Sequence, residues 1–236
     1  MYKMIFTALA LSLSACHSGD PDSASSTRDL NGVWRGAVSD AKGLQSMQAH
    51  VLDGLLLSVS QDQQRAHSGE LVLDDGQLSG ILAMRGAAGE REQDYSVLGY
   101  AQPDDIIEAD LLANNEQGQL GLYFDGARSW AGASYAEGAG LYYLDNLDFQ
   151  LSLSIAEDGW IEGYDDTGCA YLGQLSIPDQ WENLYAVSLE VQGCALDGEF
   201  SFGIGSLQTV QGWPELVLPI WFDEQDRVEA WVLQRV

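Results

Sequence analysis

Basic side chains are scarce. Ten Lys and Arg stand against 36 Asp and Glu in 236 residues, for a formal net charge of -26. Nucleic-acid binding needs a basic patch to meet phosphate, so that class of partner is excluded. Direct electrostatic adhesion to an anionic membrane surface is disfavoured for the same reason. Cations or a basic protein are the partners that such a charge suits. Histidine is equally rare, with only His17, His50 and His67. No His pair has zinc-ligand spacing, and no Cys-x-x-Cys occurs. A Gly-x-Ser-x-Gly elbow and a phosphate-cradling Gly-Lys-Thr/Ser are also missing. Carboxylates suited to glycoside chemistry abound, but nothing separates them from turn and surface acids. The sequence thus carries no catalytic constellation and implies no cofactor or metal; the expectation is a protein that is not an enzyme.

Long apolar runs are also lacking, since a bilayer span takes roughly 20 residues. Met4 to Leu13 follows the positive Lys3 and precedes the small pair Ser14-Ala15, then Cys16. That order is the order of a secretory leader. The tetrad Leu13-Ser14-Ala15-Cys16 resembles the lipobox of bacterial lipoproteins; an ordinary signal that happens to contain Cys, or a short buried helix, are the other readings. The resemblance implies cleavage before Cys16, acylation of its thiol and acylation of the new amino terminus. Several acyl chains, at ~0.8 kcal/mol per buried methylene, anchor stably where one does not. It also carries a sorting rule, in which Asp after the lipidated Cys holds the protein at the inner membrane. His17 occupies that place, so an outer-membrane lipoprotein is expected, facing the periplasm or the cell surface. Residues 1–15 are then the leader and 16–29 a disordered tether. The segment "HSGDPDSASSTRD" buries too little apolar surface to offset its ordering entropy. Random-coil scaling sets the folded part on the order of 20 Å from the membrane.

What the chain has in abundance is period two. Phe149, Leu151, Leu153 and Ile155 alternate with polar residues, as do Val187, Leu189 and Val191, and Ile107, Ala109 and Leu111. Each run reads as a strand with one buried face. Turn signals separate them, among them Asp74-Asp75-Gly76, Glu157-Asp158-Gly159 and Asp223 to Asp226. No segment after the leader sustains a helical stripe. The expected fold is all-β, antiparallel hairpins closed or nearly closed so that few edges remain.

An internal echo suggests how the strands divide. "VWRGAVS" from Val33 and "SWAGASY" from Ser129 share Trp-x-Gly-Ala, which predicts two similar β-barrel or sandwich modules, 30–127 and 128–236, with one large calycin-like barrel as the alternative. Gly32-Val33-Trp34 matches the Gly-x-Trp strand with which lipocalin-like and avidin-like barrels begin. Trp34 and Trp130 are accordingly candidate ligand contacts or core anchors.

Once Cys16 is set aside for lipid, Cys169 and Cys194 remain, in a compartment that permits disulfides. A bridge closing the loop between them would stabilise the fold by roughly 3.5 kcal/mol on the chain-entropy model. Two thiols bound to a metal or poised for redox chemistry are the rival reading.

The stretch from Asp158 to Leu207 has a distinctive order: Asp158-Gly159, Gly163 and Asp165, then Gly168-Cys169 with Tyr171 and Gly173, Asn183-Leu184-Tyr185, Cys194, Gly198 and Phe200. It resembles the carboxy-terminal part of uncharacterised lipoproteins from Gram-negative bacteria, over roughly Arg128 to Leu207. The resemblance implies an envelope β-domain with one disulfide and implies no activity; Phe202 departs from it in packing. Read as chemistry, the glycines serve turns and close strand approach. Asp165 and Asp166 with Gly168 form an Asx-type turn. A Ca²⁺ reading of these acids lacks the Asp-x-Asp-x-Asp-Gly spacing and its distal Glu.

Three functions stay open on this reading: a structural or protein-interaction lipoprotein of the envelope, a calycin-like carrier of an unknown small ligand, and an acidic inhibitor or receptor for a basic protein such as a lysozyme.

Overall fold

The computed structural model describes residues 26–62, 65–86, 89–114, 116–145 and 149–236. The leader and Cys16 lie outside the described residues. The chain forms two closed eight-stranded antiparallel barrels. The first runs β1 (Gly32–Asp40), β2 (Gly43–Leu52), β3 (Leu55–Ser60), β4 (Ala66–Asp74), β5 (Gln77–Arg85), β6 (Arg91–Gln102), β7 (Ile106–Leu112) and β8 (Gln117–Phe124), each pairing with the next and β8 returning to β1. After two single-turn helices, α1 (Gly126–Ser129) and α2 (Tyr135–Gly138), the second follows the same meander. Its strands are β9 (Gly140–Asp145), β10 (Gln150–Ile155), β11 (Trp160–Asp165), β12 (Ala170–Ser176), β13 (Tyr185–Gln192), β14 (Phe200–Val210), β15 (Trp213–Phe222) and β16 (Arg227–Arg235). Two modules, one disulfide and an all-β chain are therefore found as the sequence indicates.

Alternation fixes which side chains point inward. Trp34, Val38, Met47, Leu56, Leu82 and Val97 belong to one continuous apolar cluster inside the first barrel. Tyr142, Leu153, Tyr171, Val187, Leu218 and Trp231 do the same in the second. Both interiors are filled with packed side chains, as small barrels commonly are. Two-residue turns at Asp53-Gly54, Asp75-Gly76 and Gln211-Gly212, all at positive φ, suit the twist of tight hairpins. Glycine also serves close approach: a Cβ on Gly36 would lie 1.9 Å from the Gly121 carbonyl oxygen across the seam that closes the first barrel.

The echo around Trp34 and Trp130 does not mark equivalent strands. Trp34 lies in β1, whereas "SWAGASY" falls in the linker between β8 and β9, and Trp130 follows α1. Identity around one Trp carries no register, and the real repeat is the meander. The expected boundary at 127/128 falls within α1. Nor is the expected tether wholly free of structure: Thr27–Leu30 is a 3-10 turn. Contacts hold it: Leu73 N–H donates to Thr27 Oγ1 at 3.1 Å, Arg28 pairs with Asp53 at 3.2 Å, and Leu30 is buried in the barrel end.

The barrels lie side by side. Val33, Leu57 and Ala66 of the first meet Leu184, Ile204 and Val228 of the second in a third apolar cluster. Since the strand residues among them are at outward positions, this explains why Leu55 to Leu57 is apolar without alternation: β3 is covered on both faces. Polar groups cross the same interface, with His50 against Ser206 at 2.8 Å and Arg85 donating to Asp226 Oδ1 at 2.7 Å. The first pair sits near the linker, the second at the opposite end, so the barrel axes run alongside each other.

Candidate functional site

Cys169 and Cys194 are bonded, with Cα atoms 4.9 Å apart. The bridge ties the start of β12 to the loop after β13, at the end of the second barrel away from the linker. Asp165 organises this corner: its Oδ1 accepts from Thr167 N–H at 2.9 Å and Cys169 N–H at 3.0 Å, and its Oδ2 accepts from Tyr171 Oη–H at 2.8 Å. Desolvation first, then the bond to Asp165, pushes the Tyr171 phenol up, so it stays a protonated donor. The order Asp-x-Thr-Gly-Cys-x-Tyr is thereby accounted for as one turn with its closing bonds. Its carboxylate oxygens are taken by protein donors, which leaves little for a cation. Among the described residues no three His, Cys, Asp or Glu side chains group as a metal site.

Trp34 is a core anchor. It is fully buried, its Nε1–H donates to the Leu30 carbonyl at 2.9 Å, and its ring meets Phe124 edge-on at 5.2 Å. Trp130 also packs against Phe124, at 5.3 Å, but is 64% exposed. The two therefore share a neighbour and not a role.

Each barrel-borne histidine has a serine at 2.8 Å, His50 with Ser206 and His67 with Ser58. A Ser–His pair invites a nucleophile reading, which requires a base poised near neutral pH and access for a substrate. Burial, and then Arg128, lower His50 to about 3. Burial and Arg65 lower His67 to about 4, against an opposing effect of Asp40. All four side chains are closed from solvent. The pairs are consequently hydrogen-bonded core groups, one in the interface and one inside the first barrel.

Openings lie outside the barrels. One of about 450 Å³ is lined by Arg128, Gly132, Glu137, Asn183, Gln208 and Arg235, where the linker crosses the second barrel. Another of about 470 Å³ lies between the barrels, lined by Gln48, Ser60, Tyr143, Gln208, Glu215 and Val232. It sits where the second barrel closes weakly: β16 meets β9 through two residue pairs, Gln234 with Tyr143 and Arg235 with Tyr142. Arg128 spans towards the first barrel, donating to Gln48 Oε1 at 2.7 Å.

At the linker end of the second barrel the sequence reading missed a pattern. Four of the seven tryptophans are exposed: Trp130 by 64%, Trp160 by 43%, Trp181 by 75% and Trp213 by 66%. All four belong to one end of the second barrel. Trp160 follows the β10–β11 turn, Trp181 lies in the β12–β13 loop, Trp213 follows the β14–β15 turn, and Trp130 is in the linker. In an up-and-down meander these connections share an end. The signal was available, since Trp directly follows Asp158-Gly159 and Gln211-Gly212, where a core residue is not expected.

No protein-family model, no curated protein and no solved structure matches this chain.

Proposed function

We propose that the protein is an outer-membrane lipoprotein, anchored through Cys16, that works as a rigid structural or protein-interaction module of a Gram-negative envelope. The observation that carries this reading is the packing of both barrel interiors, which leaves the outer surface as the working part of the molecule. The lipobox-like tetrad and the likeness to uncharacterised Gram-negative lipoproteins support the address. The interface between barrels supports rigidity, because apolar, hydrogen-bonded and ionic contacts all cross it. Small-ligand carriage loses one support, as Trp34 is spent on the core.

A second reading is favoured by one observation, the charge of -26. A surface so acidic attracts a basic protein, of which a lysozyme is one example, over about one Debye length, ~8 Å at physiological ionic strength. Fractionation of envelopes on a density gradient tests the first reading: wild type should band with the outer membrane and Cys16→Ser should not. Equal banding of the two would overturn the anchor. Chemical crosslinking in the same cells at low and high salt tests the second. Basic partners that fade with salt support it, and acidic or salt-indifferent partners refute it.

A further inference from the structure

We propose that the end of the second barrel carrying Trp130, Trp160, Trp181 and Trp213 rests on the bilayer, with these side chains in the headgroup region. The inference rests on the lipid-anchor reading above. It starts from their distribution. No tryptophan is exposed elsewhere on the described surface, and four at one end form an aromatic rim of a kind that marks an interaction surface.

The position of the chain's amino-terminal side selects the occupant. Ser26 bridges to Asp74 beside the β4–β5 turn, and Asn31 Oδ1 accepts from Asp53 N–H at the β2–β3 turn. Both turns belong to the linker end of the first barrel. The linker ends of the two barrels form one face: Ser129 of α1 accepts from Val33 N–H at the start of β1 at 2.8 Å through its Oγ, and from Asn183 N–H in the β12–β13 loop at 2.7 Å through its carbonyl. The chain therefore leaves the fold on the face that bears the rim. Cys16 is ten positions before Ser26. Ten residues reach about 35 Å at full extension and about 17 Å as a random coil. An anchor at Cys16 brings this face within contact distance of the membrane and no other face so readily.

The chemistry agrees. Indole has an apolar body and a polar N–H, the combination enriched at membrane–water boundaries. Carboxylates on the same face, including Asp53, Asp104 and Asp179, oppose an anionic leaflet. The surface that fits is zwitterionic, and docking is shallow.

The test uses the full-length lipidated protein in phosphatidylcholine vesicles whose acyl chains are brominated near the headgroup. Tryptophan emission should be quenched relative to unbrominated vesicles. The double variant Trp181→Ala, Trp213→Ala should lose roughly half of that quenching, two of four exposed indoles being gone, while still sedimenting with vesicles. Its unchanged thermal unfolding would show that the fold is intact. Adding phosphatidylglycerol should weaken the quenching. Co-sedimentation without quenching would overturn the docking and leave the anchor standing. Absence of co-sedimentation, the same for wild type and Cys16→Ser, would overturn the anchor itself. Protection of the indoles by soluble glycan strands or a basic protein, with none from lipid, would assign the rim to another occupant and defeat the proposal.

Discussion

Arg85 on the first barrel and Asp226 on the second hold the barrels together at the end away from the linker. Arg85 Nη2 donates to Asp226 Oδ1 at 2.7 Å, Nη1 donates to the Asp226 carbonyl, and Nε donates to Ser68 Oγ at 3.0 Å, on a side chain only 1% exposed. Burial acts to raise the Asp226 carboxyl, but hydrogen bonds from Arg85 and Arg91 outweigh it and hold it below its ordinary value.

Removing either partner has different consequences. Asp226→Ala strands a buried guanidinium and should cost about 3 kcal/mol in urea unfolding, whereas Arg85→Met replaces it with an apolar chain and leaves a carboxylate that can reach water, costing less. The lowered carboxyl stabilises the fold fully above its unfolded value of 3.8, and that contribution is lost as pH falls through the lower folded value. Equal losses from both variants would show that burial of Arg85 is not what the pair supports.

Acid should act earlier through the histidines. The unfolded chain takes up protons near 6.5, while folded His50 resists until about 3 and His67 until about 4. Stability is therefore full above pH 6.5 and falls as pH drops towards those values. The slope is at most about 1.4 kcal/mol per pH unit for each histidine. Denaturation series from pH 7 to acid should show it, and His50→Gln should remove about half of the slope that the two residues share. A flat profile down to the carboxylate range would mean that the rings are hydrated.

The disulfide should be worth roughly 3.5 kcal/mol. The pair of substitutions Cys169→Ala and Cys194→Ala should lower the urea midpoint accordingly and leave the far-UV circular dichroism unchanged. Peptide mapping without reduction should find a single linked species. Two alkylatable thiols in protein from the periplasm would contradict the bond.

Close strand approach gives a further expectation. A Cβ on Gly173 would stand 1.9 Å from the Ser188 carbonyl oxygen, backbone that has nowhere to move within a paired sheet. Gly173→Val should destabilise by about 1–3 kcal/mol. Gly168→Val meets open space but sits at positive φ of 92°, so its cost is conformational and not steric. Unfolding of both variants separates the two effects.

Much of the fold was legible because a strand covered on one face writes its burial into every second residue, as Leu151, Leu153 and Ile155 do. The disulfide was legible from two cysteines left without another use. The second layer of packing was not. His50, Arg85 and Ser206 sit at outward positions, where a single-sequence reading assigns polar residues to solvent, and only the neighbouring barrel makes those positions interior. Trp34 and Trp130 misled for a related reason: a shared Trp-x-Gly-Ala reports local composition, and Trp130 belongs to no strand. The Trp rim was hidden because large aromatics are read as core unless their turn context is weighed. The unbroken apolar runs Leu55-Leu56-Leu57 on β3 and Leu216 to Phe222 on β15 were the linear traces of the interface.

Whether a two-barrel module is held to the membrane through Cys16 is decided by the mass of the intact protein extracted from its own envelope. A lipid-anchored chain begins at Cys16 and is heavier than its sequence by diacylglycerol and one amide-linked acyl chain. Cys169 and Cys194 should be oxidised to one disulfide. An unacylated chain, or one beginning at any other residue, would contradict it.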